Sequence, residues 1–453
     1  MITLQTKCGP IIGKQESECN IFRGVPYAKA QRFSYAQAVT SWGGTLEALK
    51  DGPSCPQYRT YFPHLENPCL YFYHKELREN IEFSYDEDCL NCNIFTPSKK
   101  GKYPVIIFIH GGSFNSNSNN EDPFRGIEFA KRGIVTVFIN YRVGVLGFIS
   151  HKEIYDTFGR DGNLGLDDQF TAIKWIKENI GDFYGDSENI TLMGQSAGAM
   201  SIQYLCCSPL CKGLFKNAVM MSGGGKFPDF SLPKKACDAH SYWLDFMKMA
   251  GISTFEELKK LDLKELFTWL DKFTPLRDDN IFNTMPVIDG YLIPKSIKEL
   301  IKNPLKVNYM LSYTNSDMYA PLLAYVSHSF VRKNGGYLYF FDINPKGSKI
   351  KAFHSADLRY MFNTLESSWR PYEAEDKEIA DLLEDYIANF ARCGNPNGLE
   401  KNPDLPYWKK SGHRALRLCL RKNKKEKKHF QCKMKRPPYL RLLWNYLTEI
   451  KLV

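Results

Sequence analysis

One five-residue run, Gly194-Gln195-Ser196-Ala197-Gly198, constrains this chain more than any other feature. Ile190-Thr191-Leu192-Met193, directly before it, is apolar and strand-length; Ala199-Met200-Ser201-Ile202-Gln203-Tyr204, directly after it, suits a helix. Gly-x-Ser-x-Gly alone turns up by chance about 0.1 times in a chain of this length, so its setting carries the information. A strand, a sharp turn and a helix, with serine at the turn, need glycines on both sides because neighbouring side chains would collide. The serine then projects above the sheet at a helix N-terminus, where the dipole and free N–H groups favour developing negative charge. Ser196 is therefore the candidate nucleophile. The plain alternative is a glycine-rich strand–helix turn without chemistry.

A second turn sharpens this reading. His110-Gly111-Gly112-Ser113-Phe114 follows the apolar run Val105-Ile106-Ile107-Phe108-Ile109. A glycine-rich turn after a strand exposes backbone N–H groups, and preorganised donors of that kind stabilise a tetrahedral oxyanion by several kcal/mol. Ala197, the residue after the serine, supplies a further donor.

The remaining pattern indicates an α/β protein. Apolar runs at 103–109, 134–140, 190–193, 217–221, 307–313 and 336–341 are separated by helical stretches or glycine-rich turns. Such alternation predicts a mostly parallel sheet with helices on both faces. Phe170, Ile173, Ile176 and Ile180 recur at helical steps and predict a helix over Leu166 to Ile180. Asp376 to Arg392 reads as another, stopped by Gly394 and Pro396. The start of the chain reads as short strands at 2–4, 9–13 and 21–22. Residues 233 to 271 are helical and charged and suggest a cap over the sheet's carboxyl end, reaching about residue 305. No repeat or low-complexity linker divides the chain, so 1–453 is expected to be one domain.

The net charge of +10 is local. Residues 409 to 436 hold thirteen Lys or Arg against the single acid Glu426, which leaves the rest of the chain near −2. The run Arg421-Lys422-Asn423-Lys424-Lys425-Glu426-Lys427-Lys428 reads as a solvated loop or hairpin tip, with an anionic-surface or RNA contact as its sharper alternative; no nucleic-acid-binding pattern accompanies it, so no nucleic acid partner is expected. No apolar stretch reaches membrane-span length. The N-terminus has neither a charged leader nor an apolar core, which leads us to expect a cytoplasmic protein. The 13 cysteines are scattered and odd in number, unlike a disulfide framework. Cys89-Leu90-Asn91-Cys92 has half a zinc spacing without its second half, so neither a metal nor a cofactor is expected. Asn189-Ile190-Thr191 is a glycosylation sequon in form, expected unmodified in the cytosol.

Taken together, these blocks resemble the type-B carboxylesterase family, relatives of the cholinesterases, with the soluble bacterial members nearest. The resemblance runs over nearly the whole chain. It is carried by Phe22-Arg23-Gly24-Val25-Pro26-Tyr27-Ala28, by Glu87-Asp88-Cys89-Leu90-Asn91-Cys92-Asn93-Ile94-Phe95-Thr96-Pro97, by Asn140-Tyr141-Arg142-Val143-Gly144, and by Gly162-Asn163-Leu164-Gly165-Leu166-Asp167-Asp168-Gln169. It implies an α/β-hydrolase fold and carboxylic-ester hydrolysis, with the oxyanion donors on the N–H groups of Gly112, Ser113 and Ala197. Among the nine histidines, Phe353-His354-Ser355-Ala356-Asp357-Leu358 resembles the block holding the catalytic base, so His354 takes that role. Asp317, after Tyr309-Met310-Leu311 and a turn, matches the position of the acid; an Asx-turn aspartate is its bland reading. The order Ser196, Asp317, His354 suits that fold.

Three departures bear on function. Gln195 stands where the family usually has Glu, which removes a negative charge and disfavours esters of cationic alcohols. The segment from Asp317 to His354 is short by the family's standard, which predicts an open, shallow pocket and loose selectivity for small to medium uncharged esters. Cys55 and Cys89 match a disulfide of secreted relatives and are expected close together but reduced. Amides, carbamates and acylglycerols remain alternative substrates, and a non-catalytic interaction protein is the rival from another class. Oligomeric state is not legible in the sequence.

Overall fold

The computed structural model describes all residues except 80, 226–232, 277–283, 319, 346–350, 401–404, 411–414, 423–427 and 436–453. Twelve of its strands form one continuous ladder. In chain order they are β1 (Ile2–Thr6), β2 (Gly9–Glu16), β3 (Cys19–Pro26), β4 (Asn91–Pro97), β5 (Tyr103–Ile109), β6 (Val135–Ile139), β7 (Gly185–Gln195), β8 (Asn217–Met221), β9 (Asn308–Thr314), β10 (Tyr337–Phe341), β11 (Ala415–Lys422) and β12 (Lys428–Lys435). Their order across the sheet is β1-β2-β3-β4-β6-β5-β7-β8-β9-β10-β11-β12, with the short strand Leu46–Glu47 paired beside β2. The middle of the sheet, from β6 to β11, is parallel throughout. Antiparallel pairs flank it on both sides. The principal helices are α1 (Pro68–Leu77), α2 (Leu164–Asn179), α3 (Ala197–Cys207), α4 (His240–Met249), α5 (Leu263–Phe273), α6 (Ala320–Asn334) and α7 (Ala374–Cys393).

The near-continuous apolar runs follow from burial on both faces. Successive strand side chains point to opposite sides. In β5, Val105, Ile107 and Ile109 enter one core with α2 and α3, through Ile173, Trp175, Ile176, Ile202 and Leu205. Ile106 and Phe108 enter the other core with α7, through Ile379, Leu383, Tyr386 and Phe390. A strand of this kind cannot alternate polar and apolar residues, which is why its sequence reads as one block.

Element boundaries shift for local reasons. The helix expected from Leu166 begins at Leu164, because Asn163 takes a left-handed conformation (φ 53°) and its carbonyl accepts the Asp167 N–H at 2.8 Å. Helix α7 starts in a reciprocal cap between Glu373 and Asp376 and stops at left-handed Gly394, whose N–H bonds the Phe390 carbonyl at 2.7 Å. Strand β7 begins at Gly185, before the expected 190, with a register shift between Gly185 and Ile190. It contains the sequon: Asn189 donates to the Arg392 carbonyl at 3.0 Å, and Thr191 is buried.

Two of the sequence blocks meet in the core. Arg142 forms a bidentate pair with Asp168, Nε to Oδ2 at 2.8 Å and a terminal nitrogen to Oδ1 at 2.7 Å, with both side chains buried. Tyr27 reaches from β3's end to donate to the Asn140 carbonyl at 2.7 Å. The basic run falls at the connection between β11 and β12, where Lys422 pairs with Lys428; residues 423–427 within it lie outside the described residues. No helix among the described residues is long and apolar enough to cross a membrane.

Candidate active site

The residues singled out in the sequence gather at the carboxyl ends of the central parallel strands, where open α/β sheets leave a crevice. Strand β7 ends at Gln195 and α3 starts at Ala197, so Ser196 alone makes the turn. Its backbone is strained, with φ 56° and ψ −123°. Its N–H is held by the Met221 carbonyl at 2.9 Å, which ties the turn to β8. A Cβ on Gly198 would stand 2.0 Å from the Ile109 carbonyl oxygen, so only glycine lets α3 approach β5 this closely. Within Gly194–Gly198, Ser196 is the one residue that is not buried.

The turn after β5 lies against the serine. A Cβ on Gly111 would be 3.0 Å from that of Ser196. Gly112, Ser113 and Phe114 all have positive φ, at 104°, 55° and 60°. The Gly112 carbonyl accepts from the N–H groups of Asn115 at 2.9 Å and Ser116 at 3.0 Å. Among the described residues, the N–H groups of Gly112, Ser113 and Ala197 have no protein acceptor. His110 is excluded as a base by its setting. Burial pushes it down to about 4, its Nδ1 donates to the Gly111 carbonyl at 2.9 Å, and its ring stacks on Tyr141 at 4.3 Å.

Asp317 and His354 meet directly, Oδ1 to Nδ1 at 2.5 Å. The Asp317 side chain is fully buried and that of His354 is 12% exposed. The second carboxylate oxygen, Oδ2, accepts from the Ser222 hydroxyl at 2.6 Å and from the Thr314 N–H at 3.0 Å. Backbone bonds register the two loops: Asn315 donates to the Phe341 carbonyl at 2.9 Å and Ser316 to the Ala352 carbonyl at 2.8 Å. With Nδ1–H given to the carboxylate, Nε2 of His354 is the basic nitrogen. That nitrogen meets the Gln195 side-chain amide at 3.2 Å. Among the described residues no hydrogen bond joins Ser196 Oγ to His354.

Several contributors escaped the sequence reading. Ser222 follows β8 and clamps Asp317; a hydroxyl directly after an apolar strand was its only signal. Asp357, three positions after His354, is buried and accepts from the Tyr339 hydroxyl at 2.9 Å. Burial pushes its carboxyl up to about 6, against the Tyr339 hydrogen bond that pulls it down. Tyr73 of α1 donates to the His354 carbonyl at 3.2 Å and fixes the loop from the opposite side.

A sequence profile described as the carboxylesterase family matches residues 2–334 and 318–436. The chain belongs to the carboxylesterase family. Para-nitrobenzyl esterase of Bacillus subtilis (strain 168) is 28% identical over 460 residues, covering 86% of this chain and 90% of that protein. Liver carboxylesterase 1 of Oryctolagus cuniculus is 33% identical over 299 residues, covering 62% of this chain and 51% of that protein. A solved PNB esterase superposes with a TM-score of 0.80 over 98% of this chain and 99% of its own, at 23% identity. The fold is that of the α/β-hydrolases, and this family member is a serine carboxylic-ester hydrolase.

Other features of this carboxylesterase bear on the sequence expectations. Cys55 and Cys89 are buried neighbours, both free thiols, and their hydrogen-bond contact together with burial raises the Cys89 thiol. Among the described residues no three of His, Cys, Asp or Glu gather as a metal site requires.

Proposed function

We propose that Ser196, His354 and Asp317 form the catalytic triad of this carboxylesterase, acting on small to medium uncharged esters through an acyl-enzyme. The observation that carries the reading is the Asp317–His354 contact at 2.5 Å, at the same end of the sheet as the strained Ser196 turn. His354 takes the serine proton at Nε2 while Ser196 Oγ attacks the ester carbonyl. Asp317 holds the imidazole in that tautomer and stabilises the imidazolium. The N–H groups of Gly112, Ser113 and Ala197 receive the oxyanion. The imidazolium returns its proton to the departing alcohol, and water activated by His354 then releases the acid. No group beyond these side chains and water is required.

On this reading the chain is a single hydrolase domain with a helical cap over 233–305, of which 277–283 lie outside the described residues, and it works in the cytoplasm. Only 37 positions separate Asp317 from His354. Among the described residues of that interval stand α6 and β10, and its shortness supports a shallow pocket with loose chain-length selectivity. Hydrolysis of p-nitrophenyl esters from acetate to octanoate, by wild type beside Ser196→Ala, His354→Ala and Asp317→Asn, tests the proposal. Activity that collapses in all three variants is expected. Activity surviving Asp317→Asn would move the acid elsewhere.

A further inference from the structure

Gln195 closes β7 as a buried residue, and its carboxamide has a defined seat. A Cβ on Gly111 would stand 3.0 Å from Oε1 and 2.8 Å from the Gln195 carbonyl oxygen, so the missing side chain at 111 makes room for that end. The other end, Nε2, lies 3.2 Å from Nε2 of His354. In the neutral ring, with Nδ1–H given to Asp317, the histidine Nε2 carries the lone pair. An amide N–H is the complementary donor. The same lone pair is the acceptor that Ser196 needs, and the two donors exclude each other.

We infer that Gln195 is a positioning residue that caps Nε2 of His354 in the resting enzyme, holds the imidazole neutral, and swings aside when Ser196 passes its proton. The inference rests on the triad reading above. Its physical sign is definite. A donor on Nε2 favours the neutral ring, whereas protonation there sets N–H against N–H and breaks the contact. The carboxylate of Asp317 on Nδ1 acts the other way, and the buried Asp357, whose carboxyl burial pushes up to about 6, lies in the following turn. Tyr73 from α1 donates to the His354 carbonyl, and Arg370 lies over the Phe353 ring at 4.8 Å. Gln195 is therefore the contact on Nε2 that opposes Asp317 on Nδ1.

The test is an NMR titration of His354 in histidine-labelled protein, run beside the pH profile of kcat/KM on p-nitrophenyl acetate, for wild type, Gln195→Met and Gln195→Glu. Methionine keeps the buried volume without a donor, and glutamate reverses the sign by accepting from Nε2–H. The His354 midpoint is expected to rise by several tenths of a unit in Gln195→Met and by about one unit or more in Gln195→Glu, with the acid limb of kcat/KM moving alike. A midpoint in Gln195→Met that equals the wild-type one overturns the inference whatever Gln195→Glu does, as does a shifted midpoint with an unmoved acid limb. A wild type that neither hydrolyses ester nor takes a fluorophosphonate overturns the triad reading instead, while the titration still measures the Gln195 contact.

Discussion

The Ser222 hydroxyl donates a 2.6 Å hydrogen bond to Oδ2 of Asp317, the carboxylate whose Oδ1 meets His354 at 2.5 Å. Two different strands, β8 and β9, therefore hold one carboxylate in register with His354. A hydrogen bond to a charged group contributes about 1.5–3 kcal/mol. Ser222→Ala leaves the Thr314 N–H in place, so the loss is partial. It is expected to lower kcat by roughly tenfold with KM little changed. Steady-state kinetics on p-nitrophenyl acetate check this, and an unchanged kcat would remove Ser222 from the site.

The turn of Gly112 makes a harsher prediction. Its φ is 104°, and an added Cβ would stand 2.2 Å from the Ser116 carbonyl oxygen. Gly112→Ala must displace the N–H groups at 112 and 113. Loss of one such donor costs on the order of 100- to 1000-fold in kcat. Circular dichroism should show the fold retained while turnover falls. Near-wild-type turnover would mean the oxyanion is bound elsewhere.

Asp357 links the site to stability. Its carboxyl sits near 6 in the folded protein against an ordinary 3.8. The native state therefore binds the proton more tightly than the unfolded chain, and this group's contribution is lost as pH rises from about 4 through 6. Roughly 3 kcal/mol is at stake. Asp357→Asn keeps a neutral acceptor for Tyr339 and is expected to gain in urea midpoint relative to wild type between pH 4 and pH 7. A difference that stays constant with pH would contradict this.

The thiols give a chemical test. Cys55 and Cys89 are buried, adjacent and free. A thiol titration of the urea-unfolded protein is expected to count all 13 with or without prior reductant. A count two lower before reduction would mean that the pair is oxidised.

What could be read in the sequence depended on how local its cause was. The strands β5 and β8 were legible to the residue because both faces are buried and the apolar block is unbroken. The Ser196 turn was legible because steric crowding by Ile109 demands Gly198 within the motif itself. His354 and Asp317 needed the flanking blocks, since their meeting depends on two loops registered by Ser316 and Ala352. Ser222 and the Gln195 contact with His354 were illegible. Each depends on a side chain meeting a residue far away in the chain, and no periodicity or spacing encodes that.

The central claim is that Ser196 is the nucleophile. Peptide mass spectrometry after reaction with a fluorophosphonate tests it most directly. The account predicts one phosphonyl adduct, on Ser196, that is absent from Ser196→Ala and strongly slowed in His354→Ala. An adduct on another residue, or an unlabelled wild type, would contradict it.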